Sequence, residues 1–76
     1  MNIEDFIEKF AFAIEVEPAE LNAATNFKKL ENWDSLNTLS IIAMADADYN
    51  VALSGDDILN SITIGDLMAV IQERVA

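Results

Sequence analysis

The chain has 76 residues, the length of one small domain, expected to span residues 1–76. Its 14 acidic residues against 4 basic ones give a formal net charge of −10, which repels nucleic acid and anionic membrane surfaces and attracts partners with basic patches. It has no cysteine and no histidine, so disulfides, thiolate metal sites and the commonest general base are excluded and an enzyme is not expected, while a hydrophobic content of 53% argues against acidic disorder.

Met1-Asn2-Ile3-Glu4-Asp5 has no basic region and no long apolar run, so neither a signal peptide nor a membrane span is expected, and a cytoplasmic protein is the simplest reading. Ile3, Phe6, Ile7, Phe10 and Ile14 then have the one-sided spacing of an amphipathic helix. Asn2 can cap it, and Asp5 in its first turn suits the dipole. Phe12 and Val16 lie off the main stripe and are expected to pack against the following loop. Pro18 disfavours helix at Glu17, so the helix should stop near there.

Residues 17–34 read as a long loop, interrupted in any period by Asn22, Thr25, Asn26 and Asn32. Leu21, Phe27, Leu30 and Trp33 are spaced as anchors onto a core, and Lys28 and Lys29 read as solvated loop charges. A loop of this length in a compact domain is more often functional than idle. A second helix is predicted from Ser35 to about Tyr49, capped by Asp34 or Ser35. Its apolar residues, Leu36, Leu39, Ile41, Ile42, Ala43, Met44, Ala45 and Ala47, take up most of its circumference. Such a helix is either buried on nearly all sides or presents an apolar face to partners.

Val51 and Leu53 follow in an extended connection. Ser54-Gly55-Asp56-Asp57 reads as a capping sequence that opens a short helix carrying Ile58, Leu59 and Ile62. Thr63-Ile64-Gly65-Asp66 repeats that logic and opens a last helix with Leu67, Val70, Ile71 and Val75, with Arg74 suited to its C-terminal dipole. The expected fold is all-α, a small bundle of three main helices plus one short helix.

The chemistry centres on Asp34-Ser35-Leu36. A serine at a helix start is most often only a cap, and a tripeptide matches by chance. Here, however, the serine follows a long anchored loop and opens the most apolar helix in the chain, where its hydroxyl should be accessible to another protein. Asp46-x-Asp48-x-Asn50 resembles the start of a calcium loop, but Val51 stands where the sharp turn needs glycine and Asp57 where a bidentate glutamate belongs, so no metal site is expected. Trp33 and Tyr49 read as packing residues.

Across essentially the whole chain the sequence resembles the acyl carrier protein family. The fragments that carry the resemblance are Val16-Glu17-Pro18-Ala19-Glu20-Leu21, Thr25-Asn26-Phe27 with Leu30, Trp33-Asp34-Ser35-Leu36, Tyr49-Asn50-Val51 and Ile62-Thr63-Ile64-Gly65-Asp66-Leu67. Each is weak alone; their order and spacing around one Asp-Ser-Leu are specific. The resemblance implies an acyl-carrier-like helical bundle that carries acyl intermediates as thioesters on a 4′-phosphopantetheine arm, for fatty acid, lipid or polyketide-type biosynthesis. Ser35 would anchor the arm as a phosphodiester, without being a catalytic nucleophile. A helix N-terminus suits such a phosphate.

Asp34 matches the aspartate that helps position the metal during transfer, and Leu36 the hydrophobic residue that partners touch. Implied partners are a phosphopantetheinyl transferase and acyltransferase, acyl-ligase or ketosynthase enzymes, with no nucleic acid and no membrane insertion; a monomer is expected. The partner surface implied is Asn37, Leu39, Ser40, Ala43, Asp46 and Asp48 on the second helix. It departs from carriers of fatty acid synthesis: Asn37 and Ser40 stand where acidic residues are usual and Ala43 where methionine is common, with acid only at Asp46 and Asp48. Partners are therefore expected to rely less on charge and more on apolar contact, which favours a specialised pathway over a housekeeping role, with ordinary sequence drift as the alternative reading. Leu39, Ile42, Ile62 and Leu67 are candidates for a cleft that shelters cargo, or plain core. The alternatives are an aminoacyl or peptidyl carrier, and a carrier-like interaction module that is never modified.

Overall fold

In the computed structural model, residues 2–31 and 33–75 are described; Asn32, expected in the loop, lies outside them. Four α-helices follow one another: α1 (Ile3–Ile14), α2 (Ser35–Tyr49), α3 (Gly55–Asn60) and α4 (Ile64–Arg74). The described residues contain no strand, so the chain is an all-α bundle of three longer helices and one short one.

Local chemistry starts each helix. Asn2 Oδ1 accepts from the amides of Glu4 at 2.7 Å and Asp5 at 3.3 Å, satisfying donors that the first turn of α1 leaves open. Ser54 with Asp57 and Thr63 with Asp66 form reciprocal capping boxes that open α3 and α4. The loop closes onto α4 in the same way. The amides of Ile64 and Gly65 donate to the carbonyls of Thr25 at 3.1 Å and Ala23 at 2.9 Å. A Cβ on Gly65 would meet the Ala23 oxygen at 3.1 Å, so the close approach of loop to helix favours glycine there.

Helix α1 ends earlier than Pro18 alone predicts. Glu15 takes a left-handed conformation with φ 61°, and Val16 N–H donates back to Ala11 O at 3.0 Å. This turns Val16 back against the core, half-buried, but leaves Phe12 87% exposed, so the expected packing of Phe12 on the loop is incorrect. Within 17–34 the chain also forms two 3-10 turns, Pro18–Glu20 and Phe27–Lys29. Leu21 and Phe27 are buried, and Leu30 and Trp33 pack partly buried against the core, as anchors should. Lys28 is not merely solvated: its Nζ donates to Leu59 O at 2.6 Å, tying the loop to the end of α3.

The core is aromatic on the α1 side. Phe10 meets Phe27 edge-on at 5.6 Å and stacks with Trp33 at 6.3 Å, while Phe27 meets Trp33 edge-on at 5.1 Å and Phe6 lies against Tyr49 at 5.9 Å. Ile41, Met44 and Ala45 of α2, Ile58 of α3, and Ile64, Leu67 and Ile71 of α4 complete it, with Val51 and Leu53 from the extended connection. Ile62 and Val75, assigned from sequence to helices α3 and α4, lie just outside them and are exposed. Helix α2 buries only one face. It ends on Asn50 at φ 56°, a left-handed position that asparagine tolerates.

Arg74 does more than suit a dipole. Its guanidinium grips Asp57 at 2.6 and 2.8 Å and donates to Ala52 O at 3.3 Å, joining the end of α4 to the start of α3. Arg74 and the Ser54 amide hold the Asp57 carboxyl well below the usual carboxylate range. A depressed carboxylate contributes stability that is present above its unfolded pKa and lost as pH falls through its folded one. Thermal melts of wild type and Arg74→Ala should therefore differ most near neutrality. The gap should begin to narrow below about pH 4, the ordinary carboxylate range. A gap that widens on acidification would contradict this account.

Candidate functional site

Trp33, pinned between Phe10 and Phe27, sets where the chain leaves the loop, and its amide donates to Leu30 O at 3.0 Å. The next residue, Asp34, is extended and caps α2, its Oδ1 accepting from Asn37 N–H at 3.0 Å. The geometry thus decides between the two candidate caps. With Asp34 as the cap, Ser35 is the first helical residue, and its hydroxyl is left without a hydrogen bond among the described residues. Ser35 is exposed, and so is Leu36, at 67%.

The amides of Ser35 and Leu36 belong to the open first turn of a 15-residue helix, whose partial positive charge favours an anion. An unengaged hydroxyl beside these donors is a suitable place to anchor a phosphodiester. The Asp34 carboxylate stands next to it, where negative charge would oppose a phosphate unless a cation intervened.

The implied partner residues divide between two directions. Leu36, Leu39, Ala43 and Asp46, spaced three or four apart, form an exposed stripe along α2, with Leu39 61% exposed. Ser40 and Asp48 turn toward α1, and Ala43 forms the ridge between the two directions. Asn37 faces the loop, where with Ile14, Val16, Leu21, Leu30 and Trp33 it lines a cavity of about 210 Å³. Sequence reasoning missed this cavity, because it depends on how the loop folds over the end of α1. The four cleft candidates have different surroundings. Leu67 is fully buried, Ile42 is partly buried against the core, and Leu39 and Ile62 are 61% and 58% exposed.

The calcium-loop resemblance has no counterpart in the backbone. Asp46 and Asp48 sit within α2, and Asp57 is occupied by Arg74 and the Ser54 amide. No group of three or more carboxylates able to hold a metal occurs among the described residues. None of their helices is long and apolar enough to cross a membrane.

An exposed serine thus opens the apolar-faced helix α2, behind a loop pinned to an all-α core. Residues 4–71 match the family described as the phosphopantetheine attachment site, and the chain belongs to that family. No curated protein matches the sequence. The chain is thus a phosphopantetheine carrier and not a catalytic domain, and its cofactor is covalently attached 4′-phosphopantetheine. Carriers of this kind work with transferases and synthases, and the arm supplies the thiol that this cysteine-free chain lacks.

Proposed function

We propose that Ser35 is the attachment residue and that the arm carries acyl groups as thioesters for fatty acid, lipid or polyketide-type biosynthesis in the cytoplasm. The observation that carries this reading is the unengaged Ser35 hydroxyl at the open end of α2. In the transfer, the Ser35 oxygen attacks the β-phosphorus of coenzyme A. A phosphodiester forms, 3′,5′-adenosine bisphosphate leaves, and the serine proton passes to a base of the phosphopantetheinyl transferase. Asp34 would hold the divalent cation, which would offset the negative charge of the phosphates, and Leu36 gives the transferase an apolar contact.

Acyltransferase, acyl-ligase or ketosynthase partners then read the α2 surface of Leu36, Asn37, Leu39, Ser40, Ala43, Asp46 and Asp48. The exposed Leu36 and Leu39 support a largely apolar contact, while the net charge of −10 steers basic partners toward the domain. A chain this acidic is expected to remain a monomer.

Cargo class is tested on the arm-bearing protein. A broad-specificity acyl ligase with ATP and fatty acids is compared with amino-acid-adenylating enzymes, and thioester formation is read by intact mass. Acylation well ahead of aminoacylation, retained in Asp46→Asn/Asp48→Asn, is the expected result. Loading by amino acids alone would make the protein an aminoacyl or peptidyl carrier. Loss of acylation in the double variant would refute the apolar partner surface.

A further inference from the structure

Helix α1 buries Phe6 and Phe10 completely and leaves Phe12 87% exposed. Beside Phe12 an open groove of about 930 Å³ runs between α1 and α2. It exists because Ala13, Ala43 and Ala47 are too small to fill the space between the two helices, and Met44 underlies it. Asp5, Glu8, Glu15 and Asp48 line it, against a single cation, Lys9, which Asp5 already holds at 2.7 Å. The side chains of Glu8, Glu15 and Asp48 make no hydrogen bond or ion pair among the described residues.

We propose that this groove docks a basic amphipathic helix of a partner protein, which sets an apolar side chain beside Phe12 and lysines or arginines against Glu8, Glu15 and Asp48. A trough between two packed helices is complementary to a third helix, whose apolar ridge fits between theirs. An exposed aromatic ringed by charge has the composition of a binding hot spot. The charge also selects the occupant. A second copy of the chain would bring its own net charge of −10 against four carboxylates, and an anionic lipid surface would be repelled in the same way. Leu36 and Leu39 do not line the groove. The groove shares Ser40, Ala43 and Asp48 with the α2 surface proposed above, so a partner seated there leaves Ser35, Leu36 and Leu39 open while competing for the side of α2 turned toward α1. The proposal does not require the arm.

The test titrates the isotopically labelled full chain with a short leucine–lysine amphipathic helical peptide, followed by NMR, with a leucine–glutamate peptide as control. Shifts should centre on Ala13, Ala43 and Ala47. Phe12→Ser should weaken binding by roughly tenfold or more, the loss of one anchor of about 1.4 kcal/mol. Leu39→Ser should leave it unchanged. Because Phe12 is exposed, its substitution should retain the fold, checked by an unchanged far-ultraviolet dichroism spectrum. Failure of the basic peptide to bind wild type, equal affinity for Phe12→Ser, shifts spread over all acidic surfaces, or a larger loss in Leu39→Ser would each overturn the proposal.

Discussion

Phe10→Ala is expected to leave most of the protein unfolded near room temperature. Phe10 is fully buried and touches the rings of Phe6, Phe27 and Trp33, so one side chain joins α1 to the loop that leads to Ser35. Truncating a buried phenylalanine costs about 3–5 kcal/mol, because the surroundings collapse only partly into the space left. Domains of this size rarely hold more than about that in reserve. The loss should appear as a collapsed or absent thermal transition by circular dichroism, with Trp33 fluorescence shifting toward its solvated value. Phe12→Ala is the control: a phenylalanine in the same helix, but exposed, should change the melting temperature little. A Phe10→Ala protein melting within ~4 °C of wild type, equivalent to less than about 1 kcal/mol, would show that the aromatic cluster does not organise the core.

Much of the architecture is legible in the sequence because helix starts are written locally. Asn2, Ser54 with Asp57, and Thr63 with Asp66 cap helices using side chains within a few residues of the amides they satisfy. The α2 boundaries at Ser35 and Tyr49 follow from the same logic, helped by Asn50 at a left-handed position. Ends and links decided at a distance are not legible. Helix α1 stops at Ile14 because Val16 turns back against the core, which no local signal before Pro18 announces. The grip of Arg74 on Asp57 and that of Lys28 on Leu59 join residues far apart in sequence, so dipole and solvation arguments underestimate both. The exposure of Phe12 depends on how α1 rotates onto α2, and the groove beside it is invisible before that packing is known.

The candidate site was legible as a motif but not as geometry. Asp34-Ser35-Leu36 stands out by its neighbours, yet sequence leaves open whether Asp34 or Ser35 is the cap. A serine used as the cap would have its oxygen engaged by the helix. Asp34 takes that role, which leaves the Ser35 hydroxyl without a hydrogen bond among the described residues. The division of the α2 surface into a solvent-facing stripe and a side turned toward α1 likewise required the packed structure.

Ser35→Ala is expected to abolish arm attachment completely while leaving the fold intact, since the exposed Ser35 hydroxyl makes no hydrogen bond among the described residues that alanine would lose. Asp34→Asn separates the cap from the charge. Asparagine caps as well as aspartate, so stability should hold, while transfer slows because the cation loses its carboxylate. The decisive measurement is intact mass after incubation with coenzyme A, Mg²⁺ and a broad-specificity phosphopantetheinyl transferase, for wild type and Ser35→Ala side by side. The account predicts a gain of one phosphopantetheinyl group in wild type and none in Ser35→Ala. An equal gain in both would place the arm elsewhere, and no gain in folded wild type with several transferases would make the protein a carrier-like interaction module.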